Sequence, residues 1–328
     1  MRALITGGTG FIGSRLAARL LEEGEFVRIL GQVNTPAEAE NRERLEEGGA
    51  EVVLGSVTND VVVGRAVREV DAIFHLAAAQ HEMNVPDEHF WNVNVRGTEN
   101  LLAAAVGAGV RRFVHGSTIG VYGVPAGPLD EESPTRPDNI YGTTKLAGEE
   151  RVLAFGDQIP VVVVRIPEVY GPGDRRLLKL FRSIESGRFF LIGRGENLHH
   201  PIFVDDLVEG IMAAARSPDA VGEIILLAGK EPVTTFEMTR AIAHAVGREP
   251  RRWHAPLLPF VAAATVFELS LRPLGVQPPL HRRRLDFFRK SHRLSADKAR
   301  QQLGFEPRVD FEEGARRTAE WYRVAGLL

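Results

Sequence analysis

The stretch Thr6-Gly7-Gly8-Thr9-Gly10-Phe11-Ile12-Gly13 decides how the rest of the chain is read. It satisfies two overlapping glycine spacings, Gly7, Gly10, Gly13 and Gly8, Gly10, Gly13. Glycines so placed let a backbone turn sharply and approach a pyrophosphate, whose charge then rests on a helix N-terminus. Spacing alone is weak: with 33 glycines in 328 residues, a three-glycine pattern arises ~0.3 times by chance. Context carries the reading. The loop follows the apolar run Arg2–Thr6 and opens an amphipathic stretch, Phe11–Glu23, the strand–turn–helix order that a dinucleotide site requires.

Outward from the loop, short β-branched runs alternate with helical patterns. Strands are expected at Arg2–Thr6, Phe26–Leu30, Glu51–Leu54, Ala72–His75, Arg112–His115 and Val161–Arg165, with helices at Phe11–Glu23, Pro36–Glu47, Asp60–Glu69, Phe90–Ala108 and Asn139–Ala154. Runs such as Val161-Val162-Val163-Val164 are apolar without alternation, as in strands covered on both faces. The fold class is therefore α/β, a doubly wound parallel sheet of the Rossmann type. The dinucleotide-binding domain is assigned to residues 1–166. Residues 167–328 form a smaller, mixed substrate-binding part, with helices expected at Leu177–Ser186, Asp205–Ala215, Thr235–Val246 and Phe311–Val324. Some of its segments, such as the strand Glu223–Leu227, return to the sheet.

Composition removes whole classes of function. Forty basic against 43 acidic residues give a net charge of −3, no footprint for nucleic acid. Cysteine is absent, which excludes disulfides, thiolate metal sites and a cysteine nucleophile. The histidines show no metal spacing: His81-Glu82 lacks a second histidine four residues on, and His199-His200 are consecutive, so no metal is expected. No leader or membrane span is visible, and the longest apolar run, Phe260–Phe267, is far short of the ~20 residues a span needs. A cytoplasmic enzyme with a small-molecule substrate is expected.

Tyr141 and Lys145 lie four apart on an expected helix and share a face. With four tyrosines and five lysines in the chain, chance gives ~0.06 such pairs. A phenol titrates near ~10, and bringing it to ~7 takes ~4 kcal/mol of differential stabilisation. A nearby ammonium in a partly buried site supplies roughly that, which turns a tyrosine into a proton acceptor from an alcohol.

Further motifs accompany this pair: His75-Leu76-Ala77-Ala78, Asn94-Val95-Arg96-Gly97-Thr98, Ser117-Thr118-Ile119-Gly120-Val121-Tyr122-Gly123 and Arg165-Ile166-Pro167-Glu168-Val169-Tyr170-Gly171-Pro172. Val204-Asp205-Asp206-Leu207 and Leu303-Gly304-Phe305-Glu306-Pro307 follow. Together they resemble the extended short-chain dehydrogenases/reductases, the NAD-dependent epimerase/dehydratase group, over nearly the whole chain. The resemblance implies Tyr141 as general acid/base, Lys145 as the group that lowers its pKa and holds the nicotinamide ribose, and Thr118 as the hydroxyl on the substrate oxygen, with Ser117 as fallback. It further implies cofactor contacts from Gly7, Gly10, Phe11, Ile12, Gly13, Leu76, Ala77, Ala78, Asn94 and Pro167. At the ribose end, Gln32 is neither the acid that favours NAD nor the base that favours NADP; NAD is preferred and NADP stays open. The family often pairs its helices into a four-helix bundle, here Phe90–Ala108 and Asn139–Ala154, so a homodimer is expected.

After Thr118 come Ile119 and Gly120, which move no protons, so the resemblance disfavours dehydratase and decarboxylase chemistry. A dehydrogenase/reductase and a UDP- or dTDP-sugar 4-epimerase remain, with a cofactor-sensing regulator as a third reading. Glu168 stands where nucleotide-sugar enzymes commonly place Asn, and a carboxylate ~4 Å from a phosphate costs roughly 4 kcal/mol per charge at an effective dielectric of ~20. The apolar segment 256–274 resembles the 3β-hydroxysteroid dehydrogenase/dihydroflavonol reductase-like branch, where such a segment covers substrate. Core packing or a membrane contact beside Arg282-Arg283-Arg284 also accounts for it. Glu168, His199, His200 and Arg289 are the expected substrate contacts.

Overall fold

The computed structural model describes residues 1–80, 85–124, 127–250, 254–271 and 285–328. His81-Glu82, the end of the apolar segment and the Arg282–Arg284 run lie outside these.

Six of the main strands fall where their apolar runs predict: β1 (Arg2–Thr6), β2 (Phe26–Gly31), β3 (Glu51–Leu54), β4 (Ala72–His75), β5 (Arg112–Thr118) and β6 (Val161–Ile166). Between them run α1 (Phe11–Glu22), α2 (Pro36–Glu47), α3 (Asp60–Ala66), α4 (Asp87–Trp91), α5 (Gly97–Gly107) and α6 (Ile140–Ala154). Short strands follow β6: β7 (Val169–Tyr170), β8 (Leu191–Ile192), β9 (Leu198–His199) and β10 (Ile202–Phe203). The strand β11 (Ile224–Leu226) then joins the main sheet. All pairings in that sheet are parallel, in the order β11-β6-β5-β4-β1-β2-β3. The order reverses between β1 and β4, which opens a crevice at the carboxyl ends of those strands.

Two apolar layers clamp the sheet, one on each face. Leu16, Leu20, Val162, Val164, Leu207 and Ile211 pack on one side, and Leu101, Leu102, Phe113, Val152, Val161 and Val163 on the other. The alternation of the valines between these two layers is the period-2 geometry of a strand buried on both sides. The expected helix Phe90–Ala108 is interrupted by a π-helical turn, Asn92–Arg96, a wider winding often found at functional sites.

The C-terminal half contributes α7 (Leu178–Glu185), α8 (Val204–Arg216), α9 (Thr235–Ala245), α10 (Leu257–Leu271), and helices Asp297–Leu303 and Phe311–Val324. A third core of Phe181, Met238, Ile242, Ala315 and Tyr322 holds it together. On α10, Ala264 is buried while Leu258 keeps 81% of its surface open and Val266 62%. Among the described residues no helix is long and apolar enough to cross a membrane.

Candidate active site

The glycine loop joins β1 to α1 at the reversal of strand order. Gly7 has φ +69°, and a Cβ there would lie 2.8 Å from the Ala77 amide nitrogen; one on Gly13 would lie 2.3 Å from the Gly7 carbonyl oxygen. The loop is thus pressed against Leu76-Ala77 after β4, and the Ala77 amide also donates to Thr6 Oγ1 (3.2 Å). Gly10 caps α1, whose first turn leaves the amides of Phe11, Ile12 and Gly13 without intrahelical acceptors. No acidic residue sits in that turn, so donors and helix dipole face a site suited to a pyrophosphate. A dinucleotide fits these residues: the amides of α1 would hold its phosphates, and half-exposed Leu76, Ala77 and Ala78 would line its path. The Gln32 side chain is exposed at the end of β2, while its carbonyl accepts from Thr9 Oγ1 (2.8 Å).

Tyr141 stands in the first turn of α6, which Asn139 caps through its Oδ1 and the Gly142 amide (3.0 Å). A Cβ on Gly142 would lie 2.5 Å from the Gly120 carbonyl oxygen; glycine therefore lets α6 close onto the turn after β5. There Thr118 lies beside the Tyr141 phenol and favours its ionised form against burial, and the Gly120 amide donates to Thr118 Oγ1 (3.0 Å). Ser117, one residue earlier, points to the opposite face and donates to Glu149 in a buried short hydrogen bond. The period-2 geometry of β5 thus brings Thr118 to Tyr141 and removes Ser117 from the pair.

Lys145 departs from expectation. Its Nζ lies 3.3 Å from His115 Nε2, and the group is 1% exposed. Burial lowers the Lys145 ammonium to about 8, with Glu149 opposing. Burial pushes the Tyr141 phenol up to about 12, only partly offset by Thr118. The His115 ring lies 5.2 Å from, and tilted by 47° to, that of His75 of β4, which is held between Thr6 (2.7 Å) and Thr98 (2.9 Å). Glu149 takes the Arg165 guanidinium, 2.8 Å from Nη2, with both side chains almost wholly buried. Sequence reading missed His75, His115, Glu149 and Arg165; the available signal was a histidine in each of two adjacent apolar strands, which parallel register sets side by side.

Asn94 braces the fold: its Oδ1 accepts from the Ala79 amide (2.8 Å) and its Nδ2 donates to the Ala79 carbonyl and Thr144, both at 3.0 Å. It fixes the loop after β4, and both Nδ2 protons are spent on protein groups. Pro167 is buried where β6 ends. Next to it, Glu168 Oε2 lies 3.1 Å from His199 Nδ1, with His199 2% and Glu168 42% exposed. His200 spends both ring nitrogens on backbone, accepting from the Leu294 amide (3.0 Å) and donating to the Gly229 carbonyl (2.9 Å), so it ties loops together and has none left for substrate. Arg289 is exposed, and no ion pair engages it among the described residues. Among these residues no group of acids and histidines is arranged to hold a metal. A crevice of about 900 Å³ beside α8, lined by Asp206, Arg308 and Arg317, shares no residue with this site.

Comparison with known proteins agrees with the geometry. The family model described as "NAD dependent epimerase/dehydratase family" matches residues 3–228. The chain is 33% identical to a 3 beta-hydroxysteroid dehydrogenase/Delta 5-->4-isomerase of Mycobacterium tuberculosis, over 93% of this chain and 86% of that one. It is also 33% identical to a UDP-glucose 4-epimerase of Mycolicibacterium smegmatis, over 98% and 99%. Among solved structures, a double mutant of a dTDP-glucose 4,6-dehydratase from Streptomyces venezuelae, with NAD bound, superposes with TM-score 0.79 at 28% identity, covering 98% of this chain and 97% of that one. A matched segment that spans the sheet, the glycine loop and the Tyr141–Lys145 helix places this chain in the NAD-dependent epimerase/dehydratase family, whose members are dehydrogenases, reductases and epimerases.

Proposed function

We propose that this chain reversibly transfers a hydride between a nicotinamide and a secondary alcohol or ketone with an apolar body, Tyr141 serving as general acid/base. The observation that carries the reading is the closure of α6 onto the turn after β5, where a Cβ on Gly142 would lie 2.5 Å from the Gly120 carbonyl oxygen, which sets Tyr141 beside Thr118 at the carboxyl edge of the sheet. The bound dinucleotide supplies or accepts the hydride at its nicotinamide ring. Tyr141 is protonated at neutral pH, the form that gives a proton to a carbonyl oxygen while the carbon gains the hydride. Thr118 holds that same oxygen by its hydroxyl. In the reverse direction the alcohol proton passes to Tyr141. Lys145 would bind the nicotinamide ribose after leaving His115.

Glu168 favours this reading over the sugar-nucleotide epimerase. Burial raises its carboxyl, but the hydrogen bond and charge of His199, with His292 and Arg176, outweigh burial and hold it below the usual carboxylate range. A charged Glu168 repels a diphosphate by roughly 4 kcal/mol per charge at ~4 Å and an effective dielectric of ~20. The exposed apolar residues of α10 would cover an apolar substrate. NAD is the proposed cofactor, and the active form is a cytoplasmic homodimer pairing α5 and α6 with those of a second copy.

The test is to denature freshly purified protein, prepared without added cofactor, and identify released nucleotide by mass spectrometry. An empty site is expected for an exchanging cosubstrate. Near-stoichiometric NAD(H) would favour the epimerase, which recycles its cofactor, and a 2′-phosphorylated nucleotide would replace NAD by NADP.

A further inference from the structure

Hydrogen-bond bookkeeping around His199 fixes where its protons lie. Asn197 Nδ2 has two protons, and it donates to the carbonyls of Phe287 (2.9 Å) and Lys290 (3.1 Å). It has none left for His199 Nε2, which lies 3.3 Å away. Thr235 Oγ1 gives its single proton to Asn197 Oδ1 (2.7 Å). Toward His199 Nε2, at 2.9 Å, Thr235 therefore offers only lone pairs, so Nε2 must carry a proton. The other ring nitrogen, Nδ1, faces the Glu168 carboxyl group at 3.1 Å. Phe287 covers the imidazole at a centroid distance of 4.7 Å.

The pair stands at the reacting edge of the sheet. Thr118 of β5 is in register with Ile166 of β6, and Glu168 follows two residues later. Neighbouring strands and a two-residue step put the Thr118 and Glu168 Cα atoms on the order of 8–10 Å apart. That is the length of a small substrate. Glu168 commits one oxygen to His199, and its side chain keeps 42% of its surface open. The other charged groups nearby are engaged: Lys290 with Asp138 (2.6 Å) and Asp286 (3.2 Å), and Arg176 with Asp174 and the Val169 carbonyl. His292, packed near the same carboxyl group, has its own pKa lowered, chiefly by burial.

We infer that Glu168, anchored by His199, determines specificity through its open carboxylate oxygen, which accepts a hydrogen bond from a hydroxyl or ammonium group on the substrate and disfavours phosphate or carboxylate there. The inference rests on the proposed alcohol/ketone reaction and adds the polar group that the substrate carries besides its apolar body. Buried donors and acceptors that lack a partner discriminate far more strongly than apolar contacts do.

Two measurements test it. Long-range proton–nitrogen spectra of nitrogen-15-labelled protein at pH 7.5, with His199→Gln for assignment, read the protonation of His199 directly. Nε2 is expected to carry a proton, and a tautomer protonated at Nδ1 alone overturns the arrangement. Reduction of a panel of medium-chain methyl ketones, each with and without a hydroxyl group along the chain, is then followed by NADH and NADPH oxidation. The wild type is expected to favour hydroxylated members in kcat/KM, and Glu168→Leu to shift that ratio by tenfold or more against them. Glu168→Gln, which keeps an acceptor but no charge, falls between. An unchanged ratio in Glu168→Leu overturns the inference and leaves the reaction standing. Failure of the wild type to reduce any ketone in the panel overturns the reaction itself, and the inference with it. NADH binding, read by fluorescence, shows that each variant is folded.

Discussion

The ammonium of Lys145 rests 3.3 Å from Nε2 of His115, whose ring lies 5.2 Å from that of a second buried histidine, His75. As long as Lys145 is charged, His115 stays neutral: burial, then Lys145 and His75, hold it well below its ordinary value. Its Nε2 accepts from the ammonium, which leaves the ring proton on Nδ1, an atom without a partner among the described residues. His115 thus positions the side chain proposed above to hold the nicotinamide ribose. Because a hydrogen bond accepted from the ammonium favours the charged form, His115→Phe is expected to lower the Lys145 pKa further. The wild type should bind NADH less tightly as pH rises through about 8, where Lys145 loses its charge. In His115→Phe that limb moves down by about one unit, whereas His115→Gln retains an acceptor and the wild-type limb. Fluorescence titration of NADH between pH 6 and 9.5 measures both.

The same histidines make the fold sensitive to acid. His75 titrates near 6.5 when exposed and at about 3 in the fold, because burial and then the Lys145 charge oppose its protonation. Between those values the unfolded chain binds the additional proton, so stability is lost as pH falls through the window. The slope is about 1.4 kcal/mol per pH unit for each such group. Urea unfolding at pH 7 and pH 5 is expected to show this loss, and His75→Gln to reduce it. Equal slopes in the two proteins would remove His75 as the cause.

Two adjacent hydroxyls separate chemistry from stability. Thr118→Ala is expected to lower kcat by at least tenfold with NADH binding intact, since it removes the hydroxyl beside Tyr141 that is proposed to hold the substrate oxygen. Tyr141→Phe should lower it by 10²–10⁴-fold, the range of general acid/base catalysis. Ser117→Ala instead leaves the Glu149 carboxylate short of a partner and should cost about 1–3 kcal/mol of stability with little change in turnover. Unfolding curves and steady-state rates of the three variants decide the assignment.

How much of this was legible in the sequence depends on the range of the interactions. The strands were readable because each is a local apolar run, and the glycine loop because its backbone demands residues without Cβ atoms. Tyr141 and Lys145 followed from the helical repeat alone. What Lys145 touches did not, since His115 lies 30 residues away and meets it only once β5 and α6 pack. Similarly, the choice between Ser117 and Thr118 turns on which face of β5 each one takes, and that depends on where the strand ends. Asn94 and His200 looked like ligand contacts but serve backbone groups, because a polar side chain in a motif reads the same whether it meets a cofactor or a buried carbonyl.

Beneath the site, Arg165 and Glu149 form an ion pair whose side chains are 3% and 2% exposed. Arg165 also donates to the Tyr122 hydroxyl (2.8 Å) and the Glu131 carbonyl (3.1 Å), so it joins β6, α6 and the loop after β5. Deleting one partner strands a buried charge, and Glu149→Ala or Arg165→Ala is expected to cost about 3–5 kcal/mol. The two losses overlap, because the double variant leaves no lone charge: its destabilisation should fall well short of the sum of the single ones. Glu149 also opposes the burial of Lys145, so Glu149→Gln should move the alkaline limb of NADH binding to lower pH even where the protein stays folded. Additive unfolding energies in the double-mutant cycle would show that the pair is not coupled, and an unshifted limb in Glu149→Gln would separate it from the Lys145 charge.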